Sequence, residues 1–288
     1  MKMKHAYLII VHHEFEVLKL LLQALDDPCN DIYIHFDKKI VEKIPVLNCK
    51  YSGLYILDKR IDVRWGHVSQ IETEYKLFEK AYKKDVYSRY HLISGTHMPL
   101  KSQKSIHEFF EEYNDREILS FIYTNNYEVT MKLGRYHFFL KNYKSSSTVK
   151  RTLSQFFWRA SLKFESVFRI IKKPIPKASI KANNWVSLTP KAVKYIIEEK
   201  KRILNEFKWS FCGDEYFVPY LLENKTAEYK MIDDKRLLFN EFLDSSPRVL
   251  KDTDYNFLIH SEYLFARKFS QTDLKVVQRI LQYIKTES

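Results

Sequence analysis

Between residues 5 and 125, short apolar runs alternate with stretches of helical spacing. This alternation limits the possible folds more than any other feature. Residues 5–11 (HAYLIIV), 31–37 (DIYIHFD), 54–57, 87–94 (YSRYHLIS) and 118–123 read as strands. Apolar positions recur every three to four residues over 14–25, 68–83 and 105–113, which predicts helices. Strand and helix in turn predict βαβ units: an α/β fold with a mainly parallel sheet flanked by helices. Further on, 183–188 reads as a strand and Thr189-Pro190 opens a helix over 190–207. Another helix starts after Cys212-Gly213, with Asp214 and Glu215 in its first turn, and two more lie near 255–267 and 272–285. Ligands of parallel sheets sit beyond the carboxyl ends of strands. Asp37, Trp65, Ser94 and Gly95 all fall at such ends.

The chain has five glycines in 288 residues, and no two are closer than Gly53 and Gly66. That spacing excludes G-x-G-x-x-G, the Walker A loop and the G-x-S-x-G elbow. Any phosphate must therefore be held by side chains. A chain that is 45% hydrophobic and 15% aromatic can bury a substantial core. Three cysteines without C-x-x-C spacing argue for a reducing, cytoplasmic setting. The first apolar run is too short for a signal sequence or a membrane span.

The net charge of +12 is concentrated. Residues 132–177 hold twelve Lys/Arg against one acid, Glu165, which contributes +11. Within this segment Leu153, Phe156, Phe157, Ala160, Phe164, Val167, Phe168 and Ile171 form one helical stripe, with Arg151, Arg159, Lys163 and Arg169 off it. A basic helix with an aromatic stripe suits either peripheral contact with an anionic membrane through 149–173 or an ordinary core-facing helix with a basic back. Ser145-Ser146-Ser147 and Lys173-Pro174-Ile175-Pro176 read as its linkers. No nucleic-acid-binding motif accompanies it.

Individually, the candidate chemical residues are modest. Asp252-Thr253-Asp254 has the D-x-D form that can hold a divalent ion, but it also suits a helix cap. His12-His13 and His35-x-Asp37 lack standard zinc spacing. Glu215, in a first helical turn, is placed as a carboxylate base. Arg248 and Lys268 are cations in constrained surroundings, suited to a diphosphate.

Seven stretches in order resemble the core-2/I-branching β-1,6-N-acetylglucosaminyltransferase and xylosyltransferase family, whose shared region is the Branch domain. They are IYIHFDKK (32–39), RWGHVSQIETE (64–74), YHLISGTHMPLKSQKSIHEFF (90–110), NNWVSLT (183–189), GDEYFVPYLL (213–222), SPRVL (246–250) and LFARKF (264–269). The resemblance implies a GT-A type nucleotide-sugar-binding fold in one domain. It would have a nucleotide-binding half (1–125), a basic insertion (132–177) and an acceptor and catalytic half (183–288). It implies an inverting transfer from a UDP-sugar, most simply UDP-GlcNAc, to a hydroxyl of a saccharide or lipid-linked saccharide in surface polysaccharide synthesis. No cofactor and no metal are implied. Glu215 would be the base, and Arg248 and Lys268 would neutralise the leaving diphosphate. Asp37, Trp65, Ser94 and Gly95 would line the donor pocket. Trp185, Lys132, Arg135 and Asp214 would line the sugar and acceptor pocket. His97 stands where the family's Ser-Gly block carries an aspartate, and residues 237–243 (LLFNEFL) match poorly. The family's eukaryotic stalk and anchor have no counterpart, so the chain resembles a stand-alone bacterial form. The alternatives are a non-catalytic basic module that binds membrane or nucleic acid, and a metal-dependent hydrolase using Asp252 and Asp254.

Overall fold

The computed structural model describes residues 4–170, 180–243 and 246–287. The predicted stretch Lys173-Pro174-Ile175-Pro176 and Ile171 lie outside them. In chain order the first half contains β1 (His5–Val11), α1 (Phe15–Leu25), β2 (Asn30–Phe36), β3 (Gly53–Ile56), α2 (Ser69–Lys84), β4 (Arg89–Ser94), β5 (Met98–Pro99), α3 (Gln103–Glu112), β6 (Arg116–Leu119), β7 (Phe121–Ile122) and α4 (Asn126–Leu133). Then come α5 (Thr148–Val167), β8 (Lys181–Ala182), β9 (Ser187–Leu188), α6 (Pro190–Glu198), α7 (Lys200–Glu206), α8 (Phe217–Glu223) and β10 (Lys230–Asp233). The last part holds β11 (Leu238–Asn240), β12 (Phe242–Leu243), β13 (Ser246–Pro247), α9 (Tyr255–His260), β14 (Phe265–Arg267) and α10 (Leu274–Thr286).

Seven strands form the central sheet in the order β10-β6-β9-β4-β1-β2-β3. Only β9 runs against its neighbours, so the expected mainly parallel α/β sheet is what forms. Every residue of β1, β2 and β4 is buried. Coverage of both faces explains why these strands read as continuous apolar runs rather than as alternations. Helices α1 and α2 supply that cover with Val17, Leu18, Leu21, Ile71, Tyr75 and Phe78. The chain leaves β1 towards β2 on one side and returns to β4 on the other. The register pairs Val11 with Phe36 and Ile10 with Ser94, which sets three carboxyl ends level at this topological switch.

A smaller sheet, β11-β14-β5, runs beside the end of β4. The Leu100 and Phe269 amides donate to the Leu264 and Thr96 carbonyls at 2.8 and 3.0 Å. The Glu14 carboxylate, at the turn after β1, accepts from Ser270 Oγ at 2.9 Å and from the Gln271 amide at 2.6 Å. The far end of the chain is thereby fastened to the switch point.

Four expectations are corrected. The strand expected over 118–123 divides at Ser120: β6 stays in the central sheet while β7 pairs with β8. The helix over 190–207 breaks at Glu199 into α6 and α7. The helix expected over 255–267 stops at His260, and Phe265–Arg267 is a strand locked between β11 and β5. Asp214 and Glu215 lie in a 3-10 turn ahead of α8 rather than in its first turn, because Cys212 adopts a left-handed conformation (φ 53°).

The aromatic stripe of α5 does not face the core. Ser154, Leu162 and Glu165 are the buried residues of this helix, while Leu153, Phe156, Phe157, Phe164 and Val167 are exposed. Periodicity located the stripe, but not the side that is covered.

Candidate active site

Glu215 is held by lysines brought from two separate elements. Its Oε2 lies 3.1 Å from Lys132 Nζ, at the end of α4, and 3.2 Å from Lys181 Nζ in β8. Glu128 Oε1 contacts both ammonium groups at 2.9 Å, giving a ring of two acids and two bases. Burial alone would raise Glu128, but the two lysines overcome it and hold it at about 2. Glu215 Oε1 has no partner among the described residues, and the side chain is partly exposed. The turn therefore presents one open carboxylate oxygen. The lysine ring, more than a helix dipole, fixes its position.

Behind it, Asp214 is buried and accepts from Gln70 Nε2 at 2.7 Å. Burial, and then the neighbouring Glu215 charge, push Asp214 up to about 7. Glu74, wholly buried beside it, is pushed well above the carboxylate range by burial and by Asp214. Asp214 Oδ1 and both Glu74 carboxylate oxygens are buried without a hydrogen-bond partner among the described residues.

Gly66 ties this turn to the loop before α2. Its carbonyl accepts from the Cys212 amide at 3.0 Å, its φ is +69°, and a Cβ there would lie 2.8 Å from the Phe211 ring. Both backbone handedness and space demand glycine. Gly66→Ala should therefore lower stability by about 1–3 kcal/mol, read as a melting temperature several degrees lower; an unchanged melting temperature would count against this strain. Trp65, the neighbouring wall, lies edge-on to Phe211 at 5.3 Å and stacks on Tyr143 at 5.7 Å.

At the switch point the sequence-predicted donor residues are mostly occupied. Asp37 is buried, with Oδ1 accepting from the Lys39 amide at 2.9 Å and Oδ2 3.1 Å from Lys39 Nζ. Ser94 Oγ bonds Thr96 Oγ1 at 2.9 Å and His97 Nδ1 at 2.8 Å. The Ser94 amide also donates to His97 Nδ1, at 3.0 Å. Accepting that bond requires Nδ1 to be bare. Burial, and then the Arg267 charge, hold the ring well below the usual histidine range, so it is neutral with its proton on Nε2.

That Nε2 has no partner among the described residues, and neither has Trp185 Nε1; both side chains are buried. The two rings meet edge to face at 5.0 Å, and the Arg267 guanidinium lies 5.0 Å from the Trp185 ring. Burial pulls Arg267 down to about 10, which leaves it charged at neutral pH. Lys268 follows it at the end of β1, where its charge acts on His12 and His13. Burial, and then Arg267, lower Lys268 as well. Among the described residues neither cation forms an ion pair. Buried donors without acceptors are uncommon in folded proteins, and the space that His97 and Trp185 line with Leu237, Leu238 and Phe265 is only about 10 Å³.

Two expected site residues are paired with carboxylates. Arg248 grips Asp254 with two bonds at 2.9 and 3.0 Å and Glu241 at 2.6 Å, beside a cavity of about 660 Å³ lined also by Ser120, Asn240 and Phe257. The free cation next to Lys268 is Arg267, which sequence reasoning passed over; its adjacency to Lys268 in LFARKF was the available signal. Arg135 binds Glu165 at 3.2 Å and Ser166 Oγ at 3.0 Å on α5, so it anchors that helix. The D-x-D carboxylates do not converge. Asp252 is paired with Lys275 and Arg279 at 2.7 and 2.6 Å, and Asp254 with Arg248. Among the described residues Asp27, Cys29 and His107 could meet on a metal, but Cys29 precedes β2 at the opposite, amino end of the sheet.

Comparison with known proteins identifies the family. A human N-acetyllactosaminide β-1,6-N-acetylglucosaminyl-transferase is 20% identical over 291 residues, covering 92% of this chain and 67% of that protein. The crystal structure of mouse xyloside xylosyltransferase 1 aligns over 91% of this chain and 97% of its own at 9% identity, with a TM-score of 0.35. The model of the Core-2/I-Branching enzyme family matches residues 5–238. With a family model matching most of its length, the chain belongs to the Core-2/I-Branching enzyme family and is a glycosyltransferase.

Proposed function

We propose that the protein transfers a sugar, GlcNAc in the first instance, from a UDP-sugar to a hydroxyl of a saccharide or lipid-linked saccharide, with inversion and without a metal. The observation that carries this reading is a cluster of two consecutive cations at the switch point, Arg267 beside Trp185 and Lys268 beside His12 and His13, with no ion-pair partner among the described residues. A diphosphate and a sugar supply the oxygens that such a cluster lacks. The GlcNAc donor and the β linkage are taken from the name of the human relative.

The reaction balances with residues of this chain. An acceptor hydroxyl oxygen attacks the anomeric carbon, and its proton passes to Glu215 Oε1. The bond from that carbon to the phosphate oxygen breaks, and UDP departs with the electron pair. Arg267 and Lys268 face the charge that develops, an electrostatic contribution worth about 2–4 kcal/mol per well-placed donor. Lys132 and Lys181 keep Glu215 in place through its other oxygen.

Metal independence is tested directly. Transfer measured in excess EDTA should equal transfer in Mn²⁺. Loss in EDTA with recovery in Mn²⁺ would reverse the assignment of the diphosphate to the two cations. A melting-temperature screen against UDP, UDP-GlcNAc, UDP-xylose and UDP-glucose identifies the donor.

A further inference from the structure

We infer that the outer face of α5 docks on an anionic lipid surface. Phe156, Phe164 and Phe168 are 63%, 54% and 62% exposed, although they lie on or directly after a regular helix whose other face is packed. With Leu153, Phe157 and Val167 they form one stripe along the helix. Phe139 extends it, packing on Phe157 with ring centroids 5.5 Å apart. A contiguous aromatic patch of this kind on a soluble surface marks an interaction site.

Charge selects the occupant. At 100° per residue, Lys150 falls on one border of the stripe and Arg159 and Lys163 on the other. The only acid between 132 and 177, Glu165, points inward and is neutralised by Arg135. The face thus offers apolar rings bordered by cations and no facing carboxylate among the described residues. An amphipathic helix lying in a lipid interface has this composition, with rings at the acyl boundary and cations among headgroups. No described helix is long and apolar enough to cross a membrane, so contact would be lateral.

The inner face explains how the helix is held at that angle. Arg135 fastens Glu165, Trp158 Nε1 donates to His137 Nδ1 at 2.9 Å, and Trp158 meets Phe211, the neighbour of the Glu215 turn. Docking through α5 would set that turn close to the lipid surface. This consequence for a lipid-linked acceptor rests on the proposed transferase reading, whereas docking itself does not.

The test is sedimentation of the purified chain with vesicles of pure phosphatidylcholine or of phosphatidylcholine containing about one third phosphatidylglycerol. Binding should be at least about tenfold tighter to the anionic vesicles and weaken in high salt. Phe156→Ser with Phe164→Ser should abolish it, and Lys150→Gln with Arg159→Gln and Lys163→Gln should weaken it about a hundredfold. Both variants should keep the wild-type melting temperature and its rise with UDP. Equal binding to both vesicle types would overturn the anionic specificity. No vesicle binding, with concentration-dependent dimers that the aromatic variant abolishes, would assign the face to a second copy instead. No binding and a monomer at all concentrations would overturn the proposal outright. Vesicle binding without any UDP response would refute the transferase reading and leave docking standing.

Discussion

Glu215→Gln should lower the rate of sugar transfer by about 10³-fold while leaving the UDP-induced rise in melting temperature intact. General-base catalysis by one positioned side chain contributes about 10²–10⁴-fold. Glutamine keeps the length and the contact oxygen but cannot take a proton. Two controls make the result specific. Lys132→Met should have a smaller effect, because Lys181 still contacts Glu215 Oε2 at 3.2 Å. Asp214→Asn should leave transfer within a fewfold of wild type, since that side chain is enclosed and bonded to Gln70. Undiminished transfer by Glu215→Gln would remove it from the role of base.

The second large effect concerns the two cations. Arg267→Ala and Lys268→Ala should each weaken UDP binding about tenfold or more and reduce turnover about a hundredfold, the cost of losing one preorganised charge facing a leaving group. Calorimetry with UDP separates the first quantity from the second. Arg248→Ala should behave differently. It strands Asp254 and Glu241 and so should reduce stability, yet UDP affinity should be nearly unchanged. The opposite ranking, with Arg248→Ala losing UDP and Arg267→Ala keeping it, would restore the pair expected from sequence.

The central sheet was legible because its strands obey a local rule. Residues 5–11 and 31–37 are mainly apolar, with His5, Asp31, His35 and Asp37 at or near the ends, a pattern that needs no knowledge of partners beyond burial on both faces. The short strands were not delimited: Phe121–Ile122 and Ser187–Leu188 lie inside the longer strands expected over 118–123 and 183–188, Lys181–Ala182 gave no signal, and two residues are too few to display a period, so only pairing across the fold defines them. Phe265–Arg267 read as helix because its spacing continued that of 255–260, and tertiary pairing with β5 and β11 overrode it. In the candidate site, motif order singles out Glu215, Lys268 and Trp185. It could not tell which cation is paired, because the Arg248–Asp254 pair and the contact of Arg267 with Trp185 are both set by the fold. For α5 the stripe was visible, but its direction depended on a contact between Arg135 and Glu165 that no periodicity encodes.

All seven strands of the central sheet lie within residues 5–233, whereas Arg267, Lys268 and the Ser270 and Gln271 groups that reach back to Glu14 come afterwards. During synthesis the scaffold can therefore be complete before the switch point gains its cations. The same late segment carries α10, which packs on α1 and buries Val276, Val277, Ile280, Leu281 and Ile284. A chain interrupted after the sheet would lack this cover as well as the two cations, so completing the core and adding Arg267 and Lys268 are one late event.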